Sequence, residues 1–320
     1  MKLQSIYLLL VPALLSVSSC SDPEHSGFEQ VPIELRVSGD GEVNTKAYQA
    51  IGQAFKTTIF ATKRNGIYTG IPAGNNEWQK DATVQTNGSV SLPDNPFYPE
   101  NGDWIYLVAV APETSAYNTS AGSVSYTLTG LTDLMYAKQI RGNRWDGNRF
   151  CNTDPTKDTP LEYVHLLTQL KFKALKKTTG GLAVKVKSIA VEGQKAVTVN
   201  LASGETSFSG SKEALKLTLA GGGTEVSGTT PATDLGCLLL PPLTSGQAYK
   251  LTVETSIGTF KDLDINFDAV NGGGSSNGHF AKGHSYEITL NIGDRELEVI
   301  SVTVADWITV KSDGDMELVK

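Results

Sequence analysis

Few residues in this chain are placed for catalysis. Its four histidines are His25, His165, His279 and His284, and no two stand at the spacing of a paired metal motif. His279 and His284 lie five residues apart, so as zinc ligands they would need partners to which the sequence does not point. Neither HExxH nor CxxC occurs. Asp313-Gly314-Asp315 resembles a fragment of a calcium loop, but the remaining spaced oxygen ligands and the distal glutamate are missing, and a solvated turn explains it. Carboxylate pairs for glycoside hydrolysis meet in space rather than in sequence, and nothing singles out a pair here. The expectation is a chain with no catalytic residues, no bound metal and no cofactor, hence not an enzyme.

Two residues invite other chemistry. Trp145 lies in Arg141-Gly142-Asn143-Arg144-Trp145-Asp146-Gly147, a polar, glycine-containing loop that is a poor place to bury an indole, so it is a candidate for stacking on a sugar or another ligand. A ring folded back over the edge of a core is the alternative. Cys20 closes an N-terminal segment with Lys2 at its positive start, a short apolar stretch over residues 6–15, and Ser16, Val17, Ser18 and Ser19 before the cysteine. That is a secretory signal over residues 1–19, too short in its apolar part for a permanent membrane span. Val17-Ser18-Ser19-Cys20 resembles a bacterial lipobox, so Cys20 is the candidate lipidation site and first residue of the processed chain. An ordinary signal with a cysteine there by chance is the alternative. Several acyl chains on one residue hold a protein to a bilayer at about 0.8 kcal/mol per buried methylene.

About 300 residues follow the signal, enough for two domains. A formal net charge of −7 without a basic run argues against nucleic acid as a partner. Cys151 and Cys237 are too few for a disulfide-built scaffold, though an oxidising compartment would allow them to pair.

The elements that position these residues are strands. Runs rich in Val, Ile, Thr and Tyr recur between Gly, Asn, Asp and Pro, and helical periodicity is nearly absent, so the fold is all-β and built of antiparallel sandwiches. Residues 104–112 read as a buried strand stopped by Pro112, and residues 164–174 as one half-buried strand with Val164, Leu166, Leu170, Phe172 and Ala174 inward. Further strands are expected at 182–191, 196–201, 214–219, 235–240, 248–255 and 284–292, with one short helix at 133–140. The glycines of residues 176–181 mark either the domain boundary or a hairpin turn. The division adopted is a tether and first strand at 20–46, an N-terminal sandwich at 47–178 and a C-terminal sandwich at 179–320.

The two ends of the processed chain look interchangeable. Val31, Ile33, Leu35 and Val37 alternate with Pro32, Glu34, Arg36 and Ser38, a strand with one apolar face that Pro32 marks as an edge or first strand. The polar stretch 39–46 after it is of the kind proteases cut. At the far end Ile300, Val302, Val304, Ile308 and Val310 are expected on one face, with Met316 and Leu318 of the same parity. The run outlasts a usual strand, so its last part either pairs with another molecule or follows a final hairpin as a tail.

The chain resembles the fimbrillin family of Bacteroidetes, subunits of type V pili and related surface adhesins. The resemblance rests on the lipobox at Cys20, Phe97-Tyr98-Pro99 leading into residues 104–112, Asp133-Leu134-Met135-Tyr136-Ala137, the His165-containing residues 163–174, and the ending Ile300-Ser301-Val302-Thr303-Val304-Ala305-Asp306-Trp307. It implies two tandem transthyretin-like β-sandwich domains in an outer-membrane lipoprotein displayed at the cell surface or in a fimbrium. It also implies that a trypsin-like protease cuts between Lys46 and Ala47 and removes the strand of Val31, Ile33, Leu35 and Val37. A donor strand of another pilus subunit, with Ile308, Val310, Met316 and Leu318, would then fill the groove. Lys46 departs from the arginine common in the family, and a strictly arginine-specific protease would leave it uncut. A surface glycan-binding lipoprotein that does not polymerise is the second reading.

Overall fold

The computed structural model describes residues 30–38, 53–72, 76–152, 154, 156–178, 183–267, 279–294 and 296–305. Turn residues punctuate the chain so densely that strands, not helices, use its apolar runs. Eighteen strands follow in order among the described residues: β1 (Val37–Ser38), β2 (Phe55–Thr62), β3 (Trp78–Val84), β4 (Val90–Ser91), β5 (Ile105–Ala111), β6 (Tyr117–Asn118), β7 (Ser123–Thr127), β8 (Met135–Gly142), β9 (Leu161–His165), β10 (Thr168–Lys176), β11 (Val184–Asn200), β12 (Thr206–Thr218), β13 (Thr224–Val226), β14 (Thr233–Leu240), β15 (Tyr249–Thr255), β16 (Thr259–Ile265), β17 (Ser285–Ile292) and β18 (Leu297–Ala305). A single 3-10 turn occupies Ala220–Gly222.

Three sheets result. The first runs β1-β9-β8-β5-β2-β3-β4, the second β14-β10-β17-β18, and the third β16-β15-β11-β7-β6 with β12 and β13 also on β11. Pairing is antiparallel except for β1 with β9 and β10 with β17, which are parallel. The all-β sandwich expectation therefore holds, with two parallel pairings added to it.

Two apolar cores form, and β5 feeds both. Ile105, Leu107, Ala109 and Ala111 point into the smaller core, while Val108 and Val110 join the larger one. A strand covered on both faces loses the polar alternation of an edge strand, which is why residues 104–112 read as a continuous apolar run. The larger core also receives Phe60 of β2 and Tyr136 of β8, so the first sheet shares its outer face with the second and third. The Tyr136 hydroxyl donates to the Leu201 carbonyl at 2.9 Å. Its ring lies over Gly204 (φ 70°), where an added Cβ would come within 2.4 Å of it. Only glycine accepts both that backbone and that approach.

Two expectations are corrected. The short helix at 133–140 is instead β8, which pairs with β5 and β9; hydrogen bonds to two neighbours outweigh a weak local helical preference. The single strand at 164–174 is broken, because the chain leaves the first sheet after β9 and enters the second at β10. Leu166 and Leu167 make the crossing and are both fully buried. The inward parity of Leu166, Leu170, Phe172 and Ala174 survives the crossing, and Gln169, on the opposite parity, is buried as well, its side-chain oxygen accepting from the Ser285 hydroxyl at 2.9 Å.

Candidate functional site

The first described segment, residues 31–38, is the piece that completes the first sheet. Its alternation becomes burial: Ile33, Leu35 and Val37 enter the smaller core, while Pro32, Glu34 and Arg36 are exposed. Val31 packs against the same core, half-buried. Along one side the segment pairs antiparallel with residues 88–98, through bridges between Pro32 and Phe97 and between Arg36 and Ser89. The Ile33 N–H donates to the Pro96 carbonyl at 2.7 Å, and Val37 donates to Gly88 at 2.8 Å. In return Val90 donates to Leu35 at 3.1 Å and Tyr98 to Val31 at 2.9 Å. Along the other side β1 pairs parallel with β9, and the Leu161 N–H donates to the Arg36 carbonyl at 2.8 Å.

These contacts join opposite ends of the seven-strand path. β4 and β9 have no pairing with each other, and the leading segment lies between them and bonds to both. It thereby rolls the first sheet into a closed sandwich around the smaller core. Without it two edges would stand open over a trough floored by Ile59, Leu107, Leu161 and Tyr163. Gly88 is built for the contact: its φ is 79°, and a Cβ there would sit 2.9 Å from the Val37 carbonyl oxygen.

A loop over residues 143–158 covers the segment from outside. Phe150 stacks on Tyr98 with ring centroids 5.6 Å apart, and the Phe150 N–H donates to the Tyr98 hydroxyl at 2.7 Å. Burial pushes the Tyr98 hydroxyl well above the ordinary tyrosine range, so it stays protonated and serves as a structural hydrogen-bond partner. The Arg36 guanidinium reaches the Asp158 carboxylate at 3.7 Å. A cleft of about 550 Å³ remains between segment and loop, lined in part by Glu34, Arg36, Arg149, Cys151 and Lys157.

Trp145 lies on the same loop and is 55% exposed. Its backbone N–H donates to the Asn143 side-chain oxygen at 3.1 Å. The indole rests on Gly102, where a Cβ would be 2.4 Å from the ring nitrogen, and the Arg144 guanidinium stands 5.5 Å from the ring centroid. A flat apolar ring, more than half exposed on a held backbone, fits a stacking contact.

Elsewhere the chemistry is structural. His165 Nδ1 lies 3.0 Å from Asp133 Oδ1, with both side chains largely buried where the chain leaves β9. No disulfide joins Cys151 and Cys237, and burial pushes the Cys237 thiol up to about 12. No cluster of His, Cys, Asp and Glu able to hold a metal occurs among the described residues. Cys20, Lys46, Ala47, Ile308, Val310, Met316 and Leu318 lie outside the described residues.

The apolar face expected at the far end is corrected over its described part. Val302 is buried, but Ile300 is exposed, because the register of β17 with β18 shifts between Thr289 and Leu290 and leaves it as an extra residue, and Val304, near the end of the described strand, is exposed as well. Sequence reasoning missed the Arg36–Asp158 pair and the Tyr98–Phe150 stack. Neither has a local signal, since their partners are more than 50 residues apart.

An all-β chain whose first sheet is completed by its own leading strand falls in the class of β-sandwich proteins. The profile of the fimbrillin-like family matches residues 43–307. The chain belongs to the fimbrillin-like family, which comprises fimbrial and adhesin subunits, not enzymes. Among solved structures it is similar to one from Bacteroides uniformis ATCC 8492 described as a cell adhesion protein, with a TM-score of 0.59 and 18% identity, covering 87% of this chain and 98% of that one. A second protein so described, from Bacteroides ovatus ATCC 8483, gives a TM-score of 0.56 at 15% identity over 88% of this chain and 99% of the other. At such identities the likeness is one of fold. Comparison with curated proteins gives no match.

Proposed function

We propose that this chain is a cell-surface fimbrial subunit that polymerises by strand exchange after proteolysis. The precursor is held at the outer membrane by lipid on Cys20. A trypsin-like protease cuts between Lys46 and Ala47, and the strand bearing Val31, Ile33, Leu35 and Val37 departs with the lipidated tether. The strand bearing Ile308, Val310, Met316 and Leu318 of another subunit takes its place. The observation that carries the reading is the position of residues 31–38, bonded on one side to residues 88–98 and on the other to β9. Emptying that groove unpairs backbone groups at about 1–3 kcal/mol for each one left buried and unsatisfied, so refilling by an extended strand is strongly favoured.

The test separates cleavage from its consequence. A site for a sequence-specific protease, placed over residues 43–47, allows one defined cut, whereas trypsin would also attack Lys311 in the candidate donor. The cut chain should convert from monomer to a ladder of multimers in size-exclusion chromatography with light scattering, and removal of residues 308–320 should abolish the ladder. A cut chain that stays monomeric at high concentration sinks the proposal. N-terminal sequencing of the surface-displayed form then reports whether Cys20 or Ala47 begins it, and whether Lys46 is used at all.

A second reading has its own support in Trp145, whose exposed indole suits contact with a glycan ring. On that reading the chain is a glycan-binding surface lipoprotein that needs no cut. Glycan arrays with the uncut chain, and with Trp145→Ala as control, test it directly.

A further inference from the structure

An apolar trough is a poor judge of sequence. Alternating apolar residues occur along β10, β11, β15 and β17 as well as at the chain ends, and the burial of three side chains does not distinguish one such strand from another. The wall of the groove formed by residues 31–38 adds one charged group that does. Asp158 is only 6% exposed at its side chain. Its Oδ1 accepts the Asn152 backbone N–H, but its Oδ2 is buried and has no hydrogen-bond partner. The Arg36 guanidinium of the leading segment stands 3.7 Å from that oxygen. A buried carboxylate without a cation is strongly unfavourable, and removing one member of a buried pair costs more than the pair contributes. The segment therefore supplies both an apolar face and the counter-charge of Asp158.

We infer that Asp158 is the specificity determinant of this groove: it admits a strand that carries a cation at the Arg36 position, and in a second copy of this chain Lys311 is that cation. The inference rests on the strand-exchange reading and names what selects the incoming strand. Residues 33–36 read apolar, polar, apolar, cationic as Ile33-Glu34-Leu35-Arg36. The C-terminal tail repeats the pattern at Ile308-Thr309-Val310-Lys311, with the cation directly after the second apolar residue. Laid along the groove in the same direction, Ile308 falls at Ile33, Val310 at Leu35 and Lys311 at Asp158. The later alternation of the tail, Met316-Glu317-Leu318-Val319, offers an anion and no cation, so a slip that seats Met316 at Leu35 and Leu318 at Val37 sets Glu317 at the Arg36 position near Asp158 and is repelled. Charge fixes the register that apolar pattern leaves open.

The experiment uses the full chain with the sequence-specific protease site over residues 43–47, and reads the rate of multimer formation after the cut. Lys311→Gln should slow assembly about tenfold or more, and Lys311→Arg should preserve it. In an Asp158→Asn background, Lys311→Gln should have no further effect, since the charge it answers is gone. Thermal melting of the uncut Asp158→Asn chain checks that it folds; the two Lys311 variants carry the test by themselves if it does not. Assembly by the parent, with Lys311→Gln indistinguishable from it, overturns the inference and leaves strand exchange standing. A parent that remains monomeric overturns strand exchange, and the inference with it.

Discussion

At the scale of single residues, two side chains report on the closed groove. Cys151 lines the cleft beside Val31 and Arg36. Burial pushes its thiol above the ordinary cysteine range, against a downward pull from Arg36 and with a further upward push from Glu34. Both charges, and part of the cover, belong to the leading segment. Its departure should raise the rate of Cys151 alkylation at pH 8 about three- to tenfold, while Cys237, held up near 12 by burial, stays unreactive before and after. Peptide mass spectrometry of the iodoacetamide-treated protein distinguishes the two, and equal Cys151 rates in the uncut chain and in a cut chain that has lost the leading segment and lacks residues 308–320 would refute the coupling. Glu77 tests the rigid side of the same sheet. Its side chain is 8% exposed, and its Oε1 accepts from the Thr62 hydroxyl at 2.9 Å, the Lys63 N–H at 3.2 Å and Arg64 Nε at 3.3 Å. Burial pushes its pKa up, but these donors outweigh burial and hold it below the usual carboxylate value. Ionised Glu77 therefore stabilises the fold above the unfolded-state value of about 4.3, and the contribution is lost as pH falls through the lower folded value. Glu77→Gln should cost about 1–3 kcal/mol at pH 7 and show a shallower loss of stability on acidification, read from thermal melts between pH 3 and pH 7.

At the scale of elements, the leading strand is held by few backbone bonds and by the side chains of Ile33, Leu35 and Val37. Leu35→Ala removes a buried side chain from the middle of that row and should destabilise the uncut chain by about 2–4 kcal/mol in urea unfolding. The same change should speed the loss of the segment once the chain is cut, because nothing then tethers it. A Leu35→Ala chain as stable as its parent would mean that the groove does not depend on its plug. How much of this was legible in the sequence follows from what each element touches. The leading strand was visible because one of its faces meets the core and the other meets water, so parity survives in the residues themselves. β5 was visible by the opposite signal, since both its faces are covered. β8 was not, because Met135 to Gly142 owe their extended form to β5 and β9, which lie elsewhere in the chain. The crossing at Leu166 and Leu167 was equally hidden, since an apolar pair continues a strand pattern as readily as it ends one. The groove wall was beyond reach for the same reason: Asp158 and Arg36 are brought together by the loop over residues 143–158, and no spacing announces them.

At the scale of the whole molecule, the groove and the last described strand before the candidate donor belong to different sheets, which bears on the geometry of any assembly. The groove belongs to the first sheet, while the chain leaves the described structure from β18, which among the described residues pairs only with β17 and shows Ile300 (40% exposed) and Val304 (49% exposed) on its surface. Such a strand, apolar at its end and unpaired along its outer side among the described residues, is the kind that sheet proteins otherwise protect. Donor and acceptor surfaces that differ make a head-to-tail contact, and a head-to-tail contact that does not close on itself grows without limit. Growth of that kind has two distinguishable ends. A cut chain lacking residues 308–320 can accept a strand but cannot give one. An uncut chain can give a strand but cannot accept one, because residues 31–38 still fill its groove. Each should therefore act as a terminator when mixed at about one part in ten with cut, full-length chain, shortening the multimers seen by mass photometry to roughly ten subunits or fewer. A chain that carries both defects should have no effect on length. If the double variant shortens the multimers as well as either single one, the contact is not a directional strand donation, and the groove closed by Val31, Ile33, Leu35 and Val37 is a permanent part of the fold.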